Sequence, residues 1–199
     1  MIRMAPRKQQ EIFDATLRLV AEKGYAGLTV EGVAERSGVN KTTIYRWWPS
    51  KAALLGAALV ESDLLGFAAP DTGSLRGDLV ALVQEVVRLL TEPPASDVAV
   101  AALGAAVEHP ELDARRFFAD RFARERGIFE RAVRRGELDG SVDPMLVVDL
   151  LAGAVWIRAV FRGLPLPDGF AEQVVSAVLD GISAPRRARR GSGRAPAGA

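Results

Sequence analysis

Lys41, Thr42, Thr43, Tyr45 and Arg46 fall within six consecutive residues, and Lys51 follows closely. Lys, Tyr and Thr side chains bind phosphate oxygens, which positions a protein on a polyanion without reading its sequence. Arg46 can do the same or bond guanine in a major groove, and Thr42 and Thr43 can reach base edges and thymine methyls. At about 100° per residue on a helix, Ile44 and Trp48 point to one side with Trp47 beside them. Thr42 and Arg46 point to the opposite side, flanked by Tyr45 and Thr43. Such a helix docks through its apolar face and offers cations and hydroxyls to a nucleic acid. Lys41 stands at the helix start, where free backbone N–H groups also favour phosphate. The chemistry indicated is binding. No H-E-x-x-H run, phosphate-cradling glycine loop or nucleophile elbow occurs. The one histidine, His109, precedes Pro110 and reads as part of a helix boundary. With no cysteine and one histidine, disulfides and thiolate metal sites are excluded, and neither a metal nor a cofactor is expected.

The elements that must position these residues are helices. Ala, Leu, Arg and Glu dominate, and no alternating run reads as a strand. Ile12, Phe13, Ala15, Thr16, Leu19 and Val20 form one face of a helix over Lys8–Lys23, which Gly24 stops. Thr29 caps a short helix, Val30–Arg36, that Gly38 ends. Asn40 caps Lys41–Trp48, Pro49 breaks it, and Ser50 caps Lys51 to about Leu65. Ser37-Gly38-Val39-Asn40 is thus a tight turn between two short helices, the shape of a helix-turn-helix. Gly66 to Gly73 reads as a linker. Further helices are expected over Ser74–Leu90, Ser96–Glu108, Glu111–Arg135, Met145–Arg162 and Asp168–Ile182.

The stretch from Lys8 to Val60 resembles the TetR (tetracycline-repressor) family of bacterial regulators, above all in Thr29 to Lys51. A threonine opens the second helix, a Gly-Val turn follows, and Ile44, Tyr45 and Ser50-Lys51 fall in the family's order. The resemblance implies that Tyr45 and Lys51 contact phosphate and that Thr29 holds phosphate at the second helix. It places Lys41, Thr42 and Thr43 against bases or backbone. Thr42 stands where glycine is frequent, and Trp47 and Trp48 replace commoner smaller aromatics. The implied fold is all-α, with a helix-turn-helix DNA-binding head (1–50) on a helical regulatory and dimerisation domain (51–184).

Met145 to Phe161 is apolar all round, and such a helix must be buried on every side. The second cover is either another subunit or the monomer's own core. The first alternative puts Val148, Leu151 and Val155, with Val174 and Val178 of the last helix, in a homodimer interface. A head that reads a palindrome also requires two copies. The family implies a small-molecule site in the body. Its candidate walls are Leu103, Val107, Phe117, Phe118, Phe122 and Trp156, with Arg121 as an anion partner; taken singly, each reads first as ordinary core or, for Arg121, as a solvated charge. A small organic effector is expected.

Charge is distributed unevenly. Residues 1–60 hold nine basic and five acidic side chains (+4), residues 61–184 hold twelve and twenty (−8), and residues 185–199 hold five arginines and no acid (+5). A basic head on an acidic body suits a protein whose head alone approaches a polyanion. The tail from Pro185 has no apolar pattern and is expected to be disordered. Neither a signal peptide nor a membrane span is expected, and a cysteine-free chain fits the cytoplasm. The reading is a ligand-responsive repressor that binds palindromic operator DNA as a dimer. A helical scaffold or ligand-binding protein without DNA binding, and a small helical enzyme, are the alternatives.

Overall fold

The computed structural model describes residues 8–62, 68–109, 112 and 114–180, with the side chains of 103, 107, 108 and 114–118 excepted. The expected basic tail lies outside the described residues. All described elements are helical: α1 (Gln9–Gly27), α2 (Val30–Ser37), α3 (Lys41–Trp47), α4 (Lys51–Glu61), α5 (Leu75–Thr91), α6 (Ala95–Glu108), α7 (Ala114–Arg135), α8 (Pro144–Val155) and α9 (Phe170–Leu179). A π-helical turn, Trp156–Phe161, continues α8.

Local signals set the element ends. Gly24 has φ 65°, so the backbone leaves helical geometry there, as the sequence suggests, before one further turn closes α1 at Gly27. The side chains of Thr29, Asn40 and Ser50 accept N–H bonds from Gly32, Thr42 and Ala53, capping α2, α3 and α4. Ser74 and Asp143 do the same for α5 and α8.

Two apolar clusters hold the chain together. In the first, Ile12, Phe13, Leu17 and Val20 of α1 meet Val33 of α2, Ile44 of α3, and Leu54 and Leu55 of α4. The same cluster takes in Leu89 of α5, Ala95, Val98 and Ala105 of α6, and Leu112. The core beneath the head therefore continues past residue 50 into α4 and α6. The second cluster joins α5, α7, α8 and α9 through Leu79, Leu82, Ile128, Phe129, Leu151 and Val175.

An ionic cluster secures the segment that leads into α5. Asp78 is fully buried, and its Oδ1 accepts bonds from the N–H and hydroxyl of Thr72 at 2.6 and 2.8 Å. Its Oδ2 lies 3.6 Å from Arg131 and 3.7 Å from Arg135, both on α7. Arg131 also reaches Asp71 and donates to the carbonyl of Pro70.

The apolar helix α8 departs from expectation in two ways. It is α-helical only to Val155 and then widens, so that Arg162 N–H bonds to the Ile157 carbonyl at 2.9 Å. And Leu151 and Val155, expected at a dimer interface, are 1% and 0% exposed within the protomer's own core. Val148, Val174 and Val178 are partly buried against that core. The most exposed apolar residues of α8 and its π turn are Leu146, Leu150, Ile157 and Phe161, each more than half exposed. Periodicity shows that a helix is apolar all round; it does not say which side its own chain covers. By length and composition alone, Pro144–Phe161 is apolar enough to cross a membrane, a test that the core helix of a globular domain also passes. The charge-free run is short because of Asp149 and Arg158, but two charges are compatible with the apolar total.

Candidate nucleic-acid interface and body cavity

α3 is held from beneath and open above. Ile44 is fully buried, worth about 1.5–3 kcal/mol of apolar burial. Trp48, just beyond the helix, sets its ring against Phe13 in an edge-on contact with centroids 5.3 Å apart. Gly38 occupies the left-handed region at φ 65°, which lets the chain turn sharply between α2 and α3. With one face pinned, Lys41, Thr42, Thr43, Tyr45 and Arg46 are all exposed on the other. Trp47 is half-buried, intermediate between the two faces.

The flanking residues are partly engaged. Lys41 lies 3.6 Å from Glu31 of α2, both well exposed, an ion pair weak enough to exchange for phosphate. The Thr29 hydroxyl accepts from Gly32 N–H at 3.1 Å, which leaves its own proton free to donate. Lys51 donates to the carbonyl of Tyr25 at 3.0 Å and lies over the Tyr25 ring, 4.3 Å from its centroid. The paired rings of Tyr25 and His109, with centroids 4.4 Å apart, carry that contact on to the end of α6. Arg36 and Glu22 form a double hydrogen bond, 2.7 and 2.9 Å, that ties α2 to α1. This bond holds the Glu22 carboxyl below the usual carboxylate range and raises the Arg36 guanidinium.

The body contains a cavity of about 330 Å³ between α5, α7, α8 and the π turn. Of the expected wall residues, Arg121, Phe122 and Trp156 line it. Leu103, Val107, Phe117 and Phe118 lie outside the described side chains. The sequence reading missed Glu125 on α7, Asp149 on α8, the α5 wall of Leu82, Val86 and Leu89, and Phe161. One signal for Glu125 was available: it stands four residues after Arg121, the spacing of an ion pair along a helix. Its Oε1 lies 3.3 Å from Arg121 Nε, and the carboxylate is only 3% exposed. Burial pushes the Glu125 carboxyl up, against the downward pull of Arg121, and pushes the Arg121 guanidinium down. The widened turn explains Phe161. In an α-helix, residues five apart point to different faces, whereas i→i+5 bonding brings Trp156 and Phe161 to the same cavity. Among the described residues, no group of three or more His, Cys, Asp or Glu side chains could hold a metal ion.

A helix-turn-helix whose second helix is anchored by an isoleucine and faces solvent with hydroxyls and cations, mounted on a helical body with a cavity, defines a class of DNA-binding regulators. Residues 12–58 match the model for bacterial regulatory proteins of the tetR family, and residues 69–178 match the tetracyclin repressor-like C-terminal domain. The chain is 31% identical to the uncharacterized HTH-type transcriptional regulator YdeS of Bacillus subtilis, over 87% of this chain and 88% of YdeS. It is 33% identical to the DNA-binding transcriptional repressor TetR of Mycobacteroides abscessus, over 90% of this chain and 95% of that protein. Among solved structures, the TetR family transcription regulator SCO0332 superposes with a TM-score of 0.72 at 34% identity, covering 90% of this chain and all of that one. The chain belongs to the TetR family of helix-turn-helix transcriptional regulators.

Proposed function

We propose that the chain is a repressor that binds palindromic operator DNA as a homodimer and is released by a small organic effector held in the body cavity. The observation that carries the DNA contact is the split of α3: Ile44 buried to nothing, and Lys41, Thr42, Thr43, Tyr45 and Arg46 exposed beside it. Thr29 and Lys51 extend this surface to the phosphates on either side, and Trp47 borders it. Repression is assigned by kinship with the M. abscessus repressor. The site of action is where the DNA is, the cytoplasm, and no catalytic step is assigned to the chain.

Dimerisation is supported by the apolar stripe Leu146, Leu150, Ile157 and Phe161, which the protomer leaves uncovered. Leu146 and Leu150 stand four apart on α8, and Ile157 and Phe161 four apart on the π-helical turn that continues it. Val174 and Val178 of α9 are likewise only partly buried within the protomer. A two-fold interface built from α8 and α9 covers the stripe in both copies at once.

The effector response is supported by α7. One side of this helix puts Arg121, Phe122 and Glu125 into the cavity. Arg124, on another side, donates to the carbonyl of Val60 near the end of α4 at 3.4 Å, and Arg131 holds the segment after α4. A ligand that favours one position of α7 thereby favours one placement of the head, by no more than its differential affinity for the two states.

Fluorescence anisotropy on a labelled duplex from the gene's own upstream region tests the DNA reading. Binding tighter than to a shuffled duplex, weakened by salt and by Tyr45→Ala, is expected. Absence of any preferred sequence in a pool of genomic fragments would overturn it, in favour of a helical ligand-binding or scaffold protein.

A further inference from the structure

We propose that the body cavity selects a lipophilic ligand bearing a single positive charge over neutral or anionic molecules of the same shape. This rests on the reading of the cavity as the effector site and names the chemical class of the effector. The walls are apolar on the α5 side and, Asp149 apart, on the α8 side, while Phe122 of α7 and Trp156 and Phe161 of the π turn add rings. Three charged side chains line the space: Arg121, Glu125 and Asp149. The one guanidinium among them is matched by Glu125, 3.3 Å away. The neighbouring carboxylate of Glu85 is in turn occupied by Arg88, through bonds of 3.0 and 2.5 Å. Asp149 has no hydrogen bond or ion pair to any described residue, and it is exposed. The cavity thus carries an uncompensated negative charge on its α8 side, close to water.

The three ligand charges meet different fates there. An anion faces Asp149 with like charge. At Arg121 it also meets the carboxylate of Glu125, which lies 3.3 Å from the guanidinium Nε and is only 3% exposed. A neutral ligand gains the apolar walls only. A cation gains the same walls, the faces of the rings and the Asp149 carboxylate, and it breaks no existing pair. Such a ligand lies with its apolar part inward and its charge beside Asp149. A quaternary ammonium or similarly delocalised cation suits the site best, because it loses least hydration on entering. The volume of about 330 Å³ sets its size at the small end of organic-ligand cavities, which run from about 300 to 1,000 Å³.

The test is isothermal titration of the full-length protein with three probes that share one phenylbutyl chain: 4-phenylbutyl-trimethylammonium, its neutral quaternary-carbon isostere, and 5-phenylpentanoate. The cation is expected to bind roughly tenfold more tightly than the neutral isostere, the scale of a cation–ring contact joined to a carboxylate ion pair. Asp149→Asn removes that preference and leaves the affinity of the neutral probe unchanged, a result that mere misfolding does not produce. Tighter binding of the carboxylate, lost in Arg121→Ala, would overturn the charge assignment. So would equal binding of cation and neutral probe with no effect of Asp149→Asn, provided Trp156→Ala weakens both; the cavity would then still be the effector site. If no probe binds in a manner sensitive to Trp156→Ala in a variant whose helical circular dichroism is intact, both the charge class and the effector site fall.

Discussion

Lys51 reaches back from the first turn of α4 to the main chain of Tyr25, its Nζ 3.0 Å from the carbonyl oxygen and 4.3 Å above the ring centre. The lysine that family kinship assigns to phosphate thus also satisfies a carbonyl near the end of α1. An ammonium has three donors, so one can stay on Tyr25 while the others turn to DNA.

Lys51→Met separates the two roles, because it keeps the stem over the Tyr25 ring and removes the charge. DNA affinity is expected to fall across all sequences, with the slope of log affinity against log salt smaller by about 0.9, one phosphate's worth. Stability should drop by only about 0.5–1.5 kcal/mol, the net worth of one hydrogen bond. Anisotropy over a salt series and urea unfolding read the two effects. An unchanged salt slope would confine Lys51 to its contact with Tyr25.

Leu150 and Leu151 are neighbours with opposite assignments. Leu150 is 51% exposed on the uncovered stripe, and Leu151 is 1% exposed in the core. Leu150→Glu is expected to give a folded monomer that binds operator DNA weakly. Leu151→Ala is expected to lower unfolding free energy by about 2–5 kcal/mol through the cavity it leaves. Sedimentation velocity and denaturant unfolding distinguish these outcomes, and a Leu150→Glu protein that stays dimeric would move the interface elsewhere.

Asp78 is the sole fully buried carboxylate among the described residues, and it faces two arginines of α7. Its replacement by alanine leaves Arg131 and Arg135 without that counter-charge and frees Thr72. A loss of roughly 3–5 kcal/mol is expected, the range for breaking one partner out of a buried ion cluster. Thermal unfolding of Asp78→Ala measures it, and a change within a few tenths of a kcal/mol would show the cluster to be dispensable.

Glu125 provides a pH signature. Burial raises its carboxyl above the ordinary range despite the opposing pull of Arg121. The folded state then binds a proton more readily than the unfolded chain. The stability associated with this group is full below the unfolded carboxylate pKa and is lost as pH rises through the raised value. The difference in unfolding free energy between wild type and Glu125→Gln should therefore favour the wild type most at low pH and shrink as pH rises. Urea unfolding of both proteins at several pH values between about 4 and 8 follows this difference, in which the other carboxylates cancel. A difference growing with pH would show instead that the Arg121 pairing dominates.

What the sequence determined by itself is local. The caps Thr29, Asn40 and Ser50, the breaks at Gly24 and Gly38, and the two faces of α3 depend on neighbours three or four residues away. The backbone chemistry of helix ends allows few alternatives. Ile44 inward and Arg46 outward follow from helical period alone. Tertiary structure decided what that period leaves open. It buried Leu151 and Val155 in the protomer and left Leu150 and Ile157 uncovered, because the packing of α5 and α9 selects the covered side of α8. It widened the helix after Val155, so that Trp156 and Phe161 share a cavity that no regular helical wheel would give them. It also joined α6 to the head's core, since apolar surface is buried wherever the chain brings it, without regard to distance in sequence.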